Sequence, residues 1–125
     1  MSEVGFLADT HVLIWHVTGD PRLNPRHKEL IDGAAPLFVS SVSVLEVGIK
    51  RSIGKLDVPS TMFEDFVEAG IVALPITWQH ASVVEKLPLH HRDPFDRTLI
   101  AQAQTEGLTL MTTDPQIRKY DVDVC

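Results

Sequence analysis

The stretch His90-His91-Arg92-Asp93-Pro94-Phe95-Asp96-Arg97 sets two carboxylates at the start of a predicted helix. Asp93 before Pro94 reads as a helix cap followed by the first helical residue, because proline presets φ and has no N–H to leave unpaired there. Asp96 then falls at the third helical position, where its charge complements the helix dipole and helps cap free N–H groups. The same carboxylate, aimed outward from a helix start into a cleft, holds a cation. On this stretch alone both readings stand, and acids elsewhere in the chain decide between them.

Asp9 closes the apolar run 4–8, and Asp114 follows the run 108–113, so each is placed at the carboxyl end of a predicted strand. Glu46 lies in Ser43-Val44-Leu45-Glu46, whose spacing matches a capping box in which the glutamate reaches back to the helix start. Sites in open parallel sheets lie beyond the carboxyl ends of the strands, so Asp9, Glu46, Asp96 and Asp114 are expected to converge at one edge. Two carboxylates about 5 Å apart repel by on the order of 3 kcal/mol at an effective dielectric of about 20. A cluster of them therefore needs a cation, protonation or basic partners. An all-oxygen ligand set, with no cysteine pair and no regular histidine spacing, suits Mg2+ or Mn2+ rather than zinc. Such ions bridge phosphate oxygens and generate a nucleophilic hydroxide, which points to metal-assisted phosphodiester hydrolysis.

The elements that must position these acids alternate. Strands are predicted over 4–8, 37–41, 71–76 and 108–113, with a fifth short edge strand over 122–124. Helices are expected from Thr10, over 25–31 behind the Asn24 cap with Gly33 as a left-handed stop, from Ser43 to Gly54, over 60–69, over 79–87, and from the Asp93 cap to Glu106 with Gly107 as its stop. Leu45, Ile49 and Ile53 continue at helical spacing, Phe63, Phe66 and Val67 form a core stripe, and Trp78 and Val84 are assigned to packing. This order predicts a three-layer α/β/α sandwich around a parallel sheet of four to five strands, covered on both faces.

A chain of 125 residues with 44% hydrophobic content is expected to form one domain over residues 1–125 with a sizeable core. Net charge −6 excludes nucleic-acid binding by general basicity. A bound divalent cation reverses the potential of an acidic site locally, so a polyanionic substrate remains compatible with that charge. The single cysteine, Cys125, excludes an intramolecular disulfide and a cysteine-based zinc site. Met1-Ser2-Glu3 begins no secretory signal and no apolar run is long enough to span a bilayer, so a cytoplasmic protein with no membrane partner is the expectation.

Lys50, Arg51 and Lys55 are the densest basic cluster, either a solvated helix end or a phosphate contact. His11, His16, His90 and His91 are assigned by default to packing or hydrogen bonding, with His90, His91 and Arg92 alternatively touching substrate phosphates from the loop before Asp93.

Leu7-Ala8-Asp9-Thr10-His11, the helix Ser43 to Lys50, Asp93-Pro94-Phe95-Asp96-Arg97 through Ala103, and Thr112-Thr113-Asp114 together resemble the four motifs of PIN-domain ribonucleases, specifically the VapC-like toxins of type II toxin–antitoxin pairs. The resemblance covers nearly the whole chain. It implies strand order 3-2-1-4-5 and an acidic pocket of Asp9, Glu46, Asp96 and Asp114, with Asp9 and Asp96 holding the principal ion. Asp96 matches the family's catalytic position, and Asp93 is left as the cap. It further implies Mg2+ or Mn2+ dependence, an RNA substrate, a homodimer and a cognate antitoxin covering the site. Thr10 and Thr112 are candidates to orient ligands, and Lys50, Arg92 and Asp93 to contact substrate or support the cluster. Leu45 departs from the pattern, since relatives often carry an aromatic residue there. A housekeeping RNase and a non-catalytic RNA-binding module are the alternatives. A receiver-like domain is excluded because residues 71–77 hold no acid to accept a phosphoryl group, and an Asp-x-Asp phosphatase because His11 stands two residues after Asp9.

Overall fold

The computed structural model describes residues 5–125. Its centre is a parallel sheet of β1 (Phe6–Ala8), β2 (Leu37–Ser40), β3 (Val72–Leu74) and β4 (Thr109–Met111) in the order β3-β2-β1-β4. Six helices surround it: α1 (Thr10–Thr18), α2 (Pro25–Asp32), α3 (Ser41–Ser52), α4 (Met62–Glu68), α5 (Trp78–Val84) and α6 (Pro94–Glu106). Period-two alternation divides the strand side chains between two cores. Leu7 and Leu110 join Leu99, Ile100, Ile117 and Tyr120 on the α6 side. Ala8, Val39 and Met111 join Val12, Leu13, Val47 and Phe66 on the other. Apolar material on both faces makes the predicted three-layer arrangement the stable one, since each large aliphatic residue contributes about 1.5–3 kcal/mol when buried.

The fifth strand is reduced to a single bridge, Leu110 to Val124. The tail still closes the outer edge of β4: Leu110 N–H donates to Asp123 O at 2.8 Å and Cys125 N–H to Leu110 O at 3.1 Å. The expected first strand began at Val4, which lies outside the described residues, as does the Met1-Ser2-Glu3 start. The third strand and fifth helix are shorter than expected. Gly33 is extended, with φ −87° and ψ −168°. It is needed for close approach, since a Cβ there would stand 3.0 Å from Glu29 O. The left-handed stop predicted for Gly107 is present, at φ 66°.

Two corrections bear on function, one to the cap of α3 and one to the packing of Trp78 and Val67. The capping box at Ser43 and Glu46 does not form, because α3 begins earlier: Ser40 caps it by accepting from Val42 N–H at 3.0 Å. Glu46 therefore sits in the second turn, facing the site and not the helix start. Leu45, Ile49 and Ile53 keep the expected helical spacing and face solvent, at 54%, 44% and 59% exposure. Trp78 is 94% exposed and Val67 58%, against their assignment to the core. On α5 the buried anchor is His80, which forms a capping box with Thr77 and lies 3.0 Å from Glu106 Oε1.

Candidate acidic metal site

In a parallel sheet every strand delivers its carboxyl end to the same edge, and register decides which residues meet there. Ala8 pairs with Met111, so Asp9 emerges beside Thr112, and Asp9 N–H donates to Met111 O at 2.9 Å. Asp9 occupies the cap position of α1 yet makes no side-chain cap bond. Its Oδ2 instead accepts from the Thr112 hydroxyl at 2.8 Å. A residue type that ordinarily stabilises a helix start by about 1 kcal/mol is diverted here to another purpose.

On α6 the two acids separate. Asp93 Oδ1 accepts from Phe95 N–H at 2.8 Å and Asp96 N–H at 3.2 Å, so Asp93 is the cap. That leaves Asp96 free to face inward, where it is buried. Asp114 Oδ1 accepts from Gln116 N–H at 2.8 Å, while its own N–H donates to Thr112 Oγ1 at 3.0 Å. Glu46 is buried with its Oε2 held by Lys50 Nζ at 2.9 Å, one helical turn away.

The acids act on one another electrostatically. Burial pushes Asp96 up to about 8, helped by the charges of Asp9, Asp93, Glu46 and Asp114. Burial also raises Asp9, with Glu46 adding to it and the Thr112 hydrogen bond opposing it. Of the four expected carboxylates, Asp96 and Asp114 meet at His91, while Asp9 and Glu46 act on Asp96 through their charges. Asp9 Oδ1 and Glu46 Oε1 are buried with no hydrogen-bond partner. An orphaned buried carboxylate oxygen is costly unless something positive reaches it, so this donor set fits a divalent cation.

Of the supporting candidates, Thr112 and Lys50 bind cluster members directly. Thr10 is buried, but its hydroxyl pairs with Ser43 Oγ at 2.8 Å, tying α1 to α3. Arg92 is exposed and joins none of the hydrogen bonds among the described residues. His91, assigned from the sequence to packing or hydrogen bonding, does hydrogen-bond, and it does so inside the acid cluster. Its Nε2 lies 3.0 Å from Asp96 Oδ2 and 3.1 Å from Asp114 Oδ2, so the three side chains form a compact N/O group. The only available signal was its proximity to Asp93, and chain position alone does not tell an inward from an outward imidazole.

Beside Glu46 and Asp9 runs a cleft lined by His11, Trp15, Arg22, Lys50 and Lys55. The Arg22 guanidinium stacks over the Trp15 ring, 5.1 Å from its centroid. Lys50 and Lys55 are thereby assigned to the cleft and not merely to a solvated helix end.

Among solved structures, the chain resembles VapBC2 from Rickettsia felis bound to a DNA fragment from its promoter, with TM-score 0.72, 13% identity and 98% of each chain covered. It resembles DNA-bound VapBC from Salmonella typhimurium with TM-score 0.68 and 16% identity, over 98% of this chain and 97% of that one. It resembles Mycobacterium tuberculosis VapC20, a sarcin-ricin loop cleaving toxin, with TM-score 0.69 and 12% identity, over 91% and 93%. At these identities the likeness establishes the fold. No curated protein matches the sequence. The PIN domain family model matches residues 6–123, spanning every element described above, and the chain belongs to that family.

Proposed function

We propose that residues 1–125 form one PIN domain that acts as a divalent-metal-dependent endoribonuclease, working as the toxin of a toxin–antitoxin pair in the cytoplasm. The observation that carries this reading is the pair of buried, unpartnered carboxylate oxygens, Asp9 Oδ1 and Glu46 Oε1, next to the raised Asp96. Asp9 and Asp96 would hold the principal ion, with Glu46 and Asp114 completing the cluster. Mg2+ or Mn2+ bound there supplies Lewis-acid stabilisation of the charge that builds on a phosphodiester, and a nucleophilic water at neutral pH.

The chain's own residues do the remaining work. The Thr112 hydroxyl and Lys50 ammonium each hold one oxygen of Asp9 and Glu46, leaving the other oxygen aimed into the site. Lys55 and Lys50 would take backbone phosphates along the cleft, joined by Arg22 where a phosphate displaces its ion pair with Asp20 at 2.7 Å, and the Trp15 and His11 rings would offer stacking faces for an unpaired base. A single-stranded or looped RNA meets both demands, because its bases are free to stack.

An antitoxin and a second copy of the chain belong to the same reading. The VapBC neighbours are complexes of a toxin with its antitoxin, and the exposed Leu45, Ile49 and Ile53 give α3 an uncovered apolar stripe. Among the described residues no helix is long and apolar enough to cross a membrane.

The test is cleavage of a mixed RNA pool by the purified chain, with Mn2+ or Mg2+ and with EDTA, beside Asp9→Asn and Glu46→Gln. Metal-dependent cleavage that both variants lose is expected. Cleavage undiminished in EDTA, or full activity in Asp9→Asn, overturns the reading. Growth arrest on induction of the wild type but not of Asp9→Asn separates a toxin from a housekeeping RNase.

A further inference from the structure

His91 has no role assigned in the proposed chemistry above, yet its loop is anchored on both sides. Two neighbours pin the backbone. The Tyr120 hydroxyl accepts from His90 N–H at 3.1 Å and His91 N–H at 2.9 Å. Buried Arg97 donates to Pro88 O at 2.9 Å, Val84 O at 2.8 Å and the Tyr120 hydroxyl at 3.2 Å. These contacts hold the loop backbone that carries the imidazole into the site.

Its two nitrogens have different surroundings. Asp93 N–H donates to Nδ1 at 3.3 Å. A ring nitrogen accepts only when it is bare, so the ring's hydrogen is on Nε2. Nε2–H donates to Asp114 Oδ2 at 3.1 Å, with Asp96 Oδ2 at 3.0 Å from the same nitrogen. A metal-ligating histidine has the reverse arrangement, a bare nitrogen towards the ion and an N–H towards an acceptor. Two independent contacts of one ring thus give it the wrong tautomer for a ligand and the right one for a donor.

Resting on the metal-nuclease reading, we infer that His91 is a positioning residue of the acid cluster, a hydrogen-bond donor that fixes Asp114 Oδ2 beside Asp96 Oδ2, and not one of the metal's ligands. The network extends further. Asp114 N–H donates to Thr112 Oγ1 and the Thr112 hydroxyl to Asp9 Oδ2, so one unbroken chain of hydrogen bonds runs from the N-terminus of α6 through His91 to Asp9. Asp114, held on Oδ2 by His91 and on Oδ1 by Gln116, transmits this alignment between the third and fourth acidic motifs.

Mn2+ titration of the full chain, read by the electron paramagnetic resonance of free Mn2+, separates donor from ligand in His91→Gln and His91→Ala, with circular dichroism confirming the fold. A glutamine side chain places an amide N–H near the Nε2 position but has no nitrogen lone pair for a metal. His91→Gln should bind Mn2+ within about threefold of wild type, whereas His91→Ala should bind at least about tenfold more weakly, as for other residues that orient ligands. Equal losses in both variants would make His91 a ligand, and no loss in either would leave it without a role; both results overturn the inference. Nitrogen-15 shifts of the His91 ring in the metal-free chain give a second readout: a bare Nδ1 and protonated Nε2 are expected, and the opposite tautomer overturns the inference even if His91→Ala fails to fold. Wild-type protein that binds no Mn2+ defeats the nuclease reading itself, while the ring shifts still decide the tautomer.

Discussion

Replacing Asp96 by asparagine removes a charge from the most crowded point of the acid cluster and keeps the side-chain shape. Asp96 is pushed up to about 8 from an ordinary 3.8, chiefly by burial and then by Asp9, Asp93, Glu46 and Asp114. An acid raised by folding binds more protons in the native state than in the unfolded one, so its contribution to stability is lost as pH rises. The cost is absent below about pH 4, grows by about 1.4 kcal/mol per pH unit between the two values, and levels off above about pH 8. At pH 7 the two values bound it at about 4 kcal/mol. Relaxation and entering water reduce this, and asparagine still has to be satisfied beside His91, so a gain of about 2 kcal/mol is expected. For a chain of this length that corresponds to a rise in Tm of about 6–8 °C. Thermal melts from pH 4 to 8.5 in EDTA check this: the variant should melt above wild type at pH 7.5 and converge with it near pH 4. Saturating Mn2+ should raise the Tm of wild type and not that of Asp96→Asn, because a ligand stabilises only the state that binds it. A variant that is less stable than wild type at pH 7.5 without metal, or a difference independent of pH, refutes the electrostatic reasoning. Thus the residue assigned to the chemistry costs the fold stability, a trade common at functional sites.

Arg97→Met keeps the apolar stem but strands the carbonyls of Val84 and Pro88; unfolding in urea should show a loss of about 3 kcal/mol, and unchanged stability would refute the clamp. The double change Arg22→Gln with Lys55→Gln should weaken RNA binding and flatten its salt dependence by about one to two charges, with the acid cluster untouched; an unchanged salt slope in filter binding would remove the cleft from the substrate path.

Much of this was open to inspection in the chain. Apolar runs broken by Pro, Gly and Asp punctuation were enough for the alternating strands and helices, and Asp93-Pro94 followed by Gly107 marked both ends of α6, because caps and left-handed stops are local chemistry. The placement of Asp9, Glu46, Asp96 and Asp114 at one edge was also readable, since a parallel sheet sends every strand's carboxyl end there. What lay beyond the sequence was orientation. Ser43 and Glu46 match a capping box, but Ser40 also suits a cap, and starting α3 one turn earlier puts Glu46 in the second turn, away from the helix start. Helical spacing places Leu45, Ile49 and Ile53 on a single face but does not say whether that face meets the sheet or solvent. Trp78, assigned to packing, is exposed for the same reason. His91 is the sharpest case: its proximity to Asp93 is sequence, but its contact with Asp114, 23 positions away, depends on Tyr120 and Arg97 pinning the loop. Residue types and local chemistry determined which groups are available to a site; the packing of α6 and the chain's last turn against the sheet decided which of them face it.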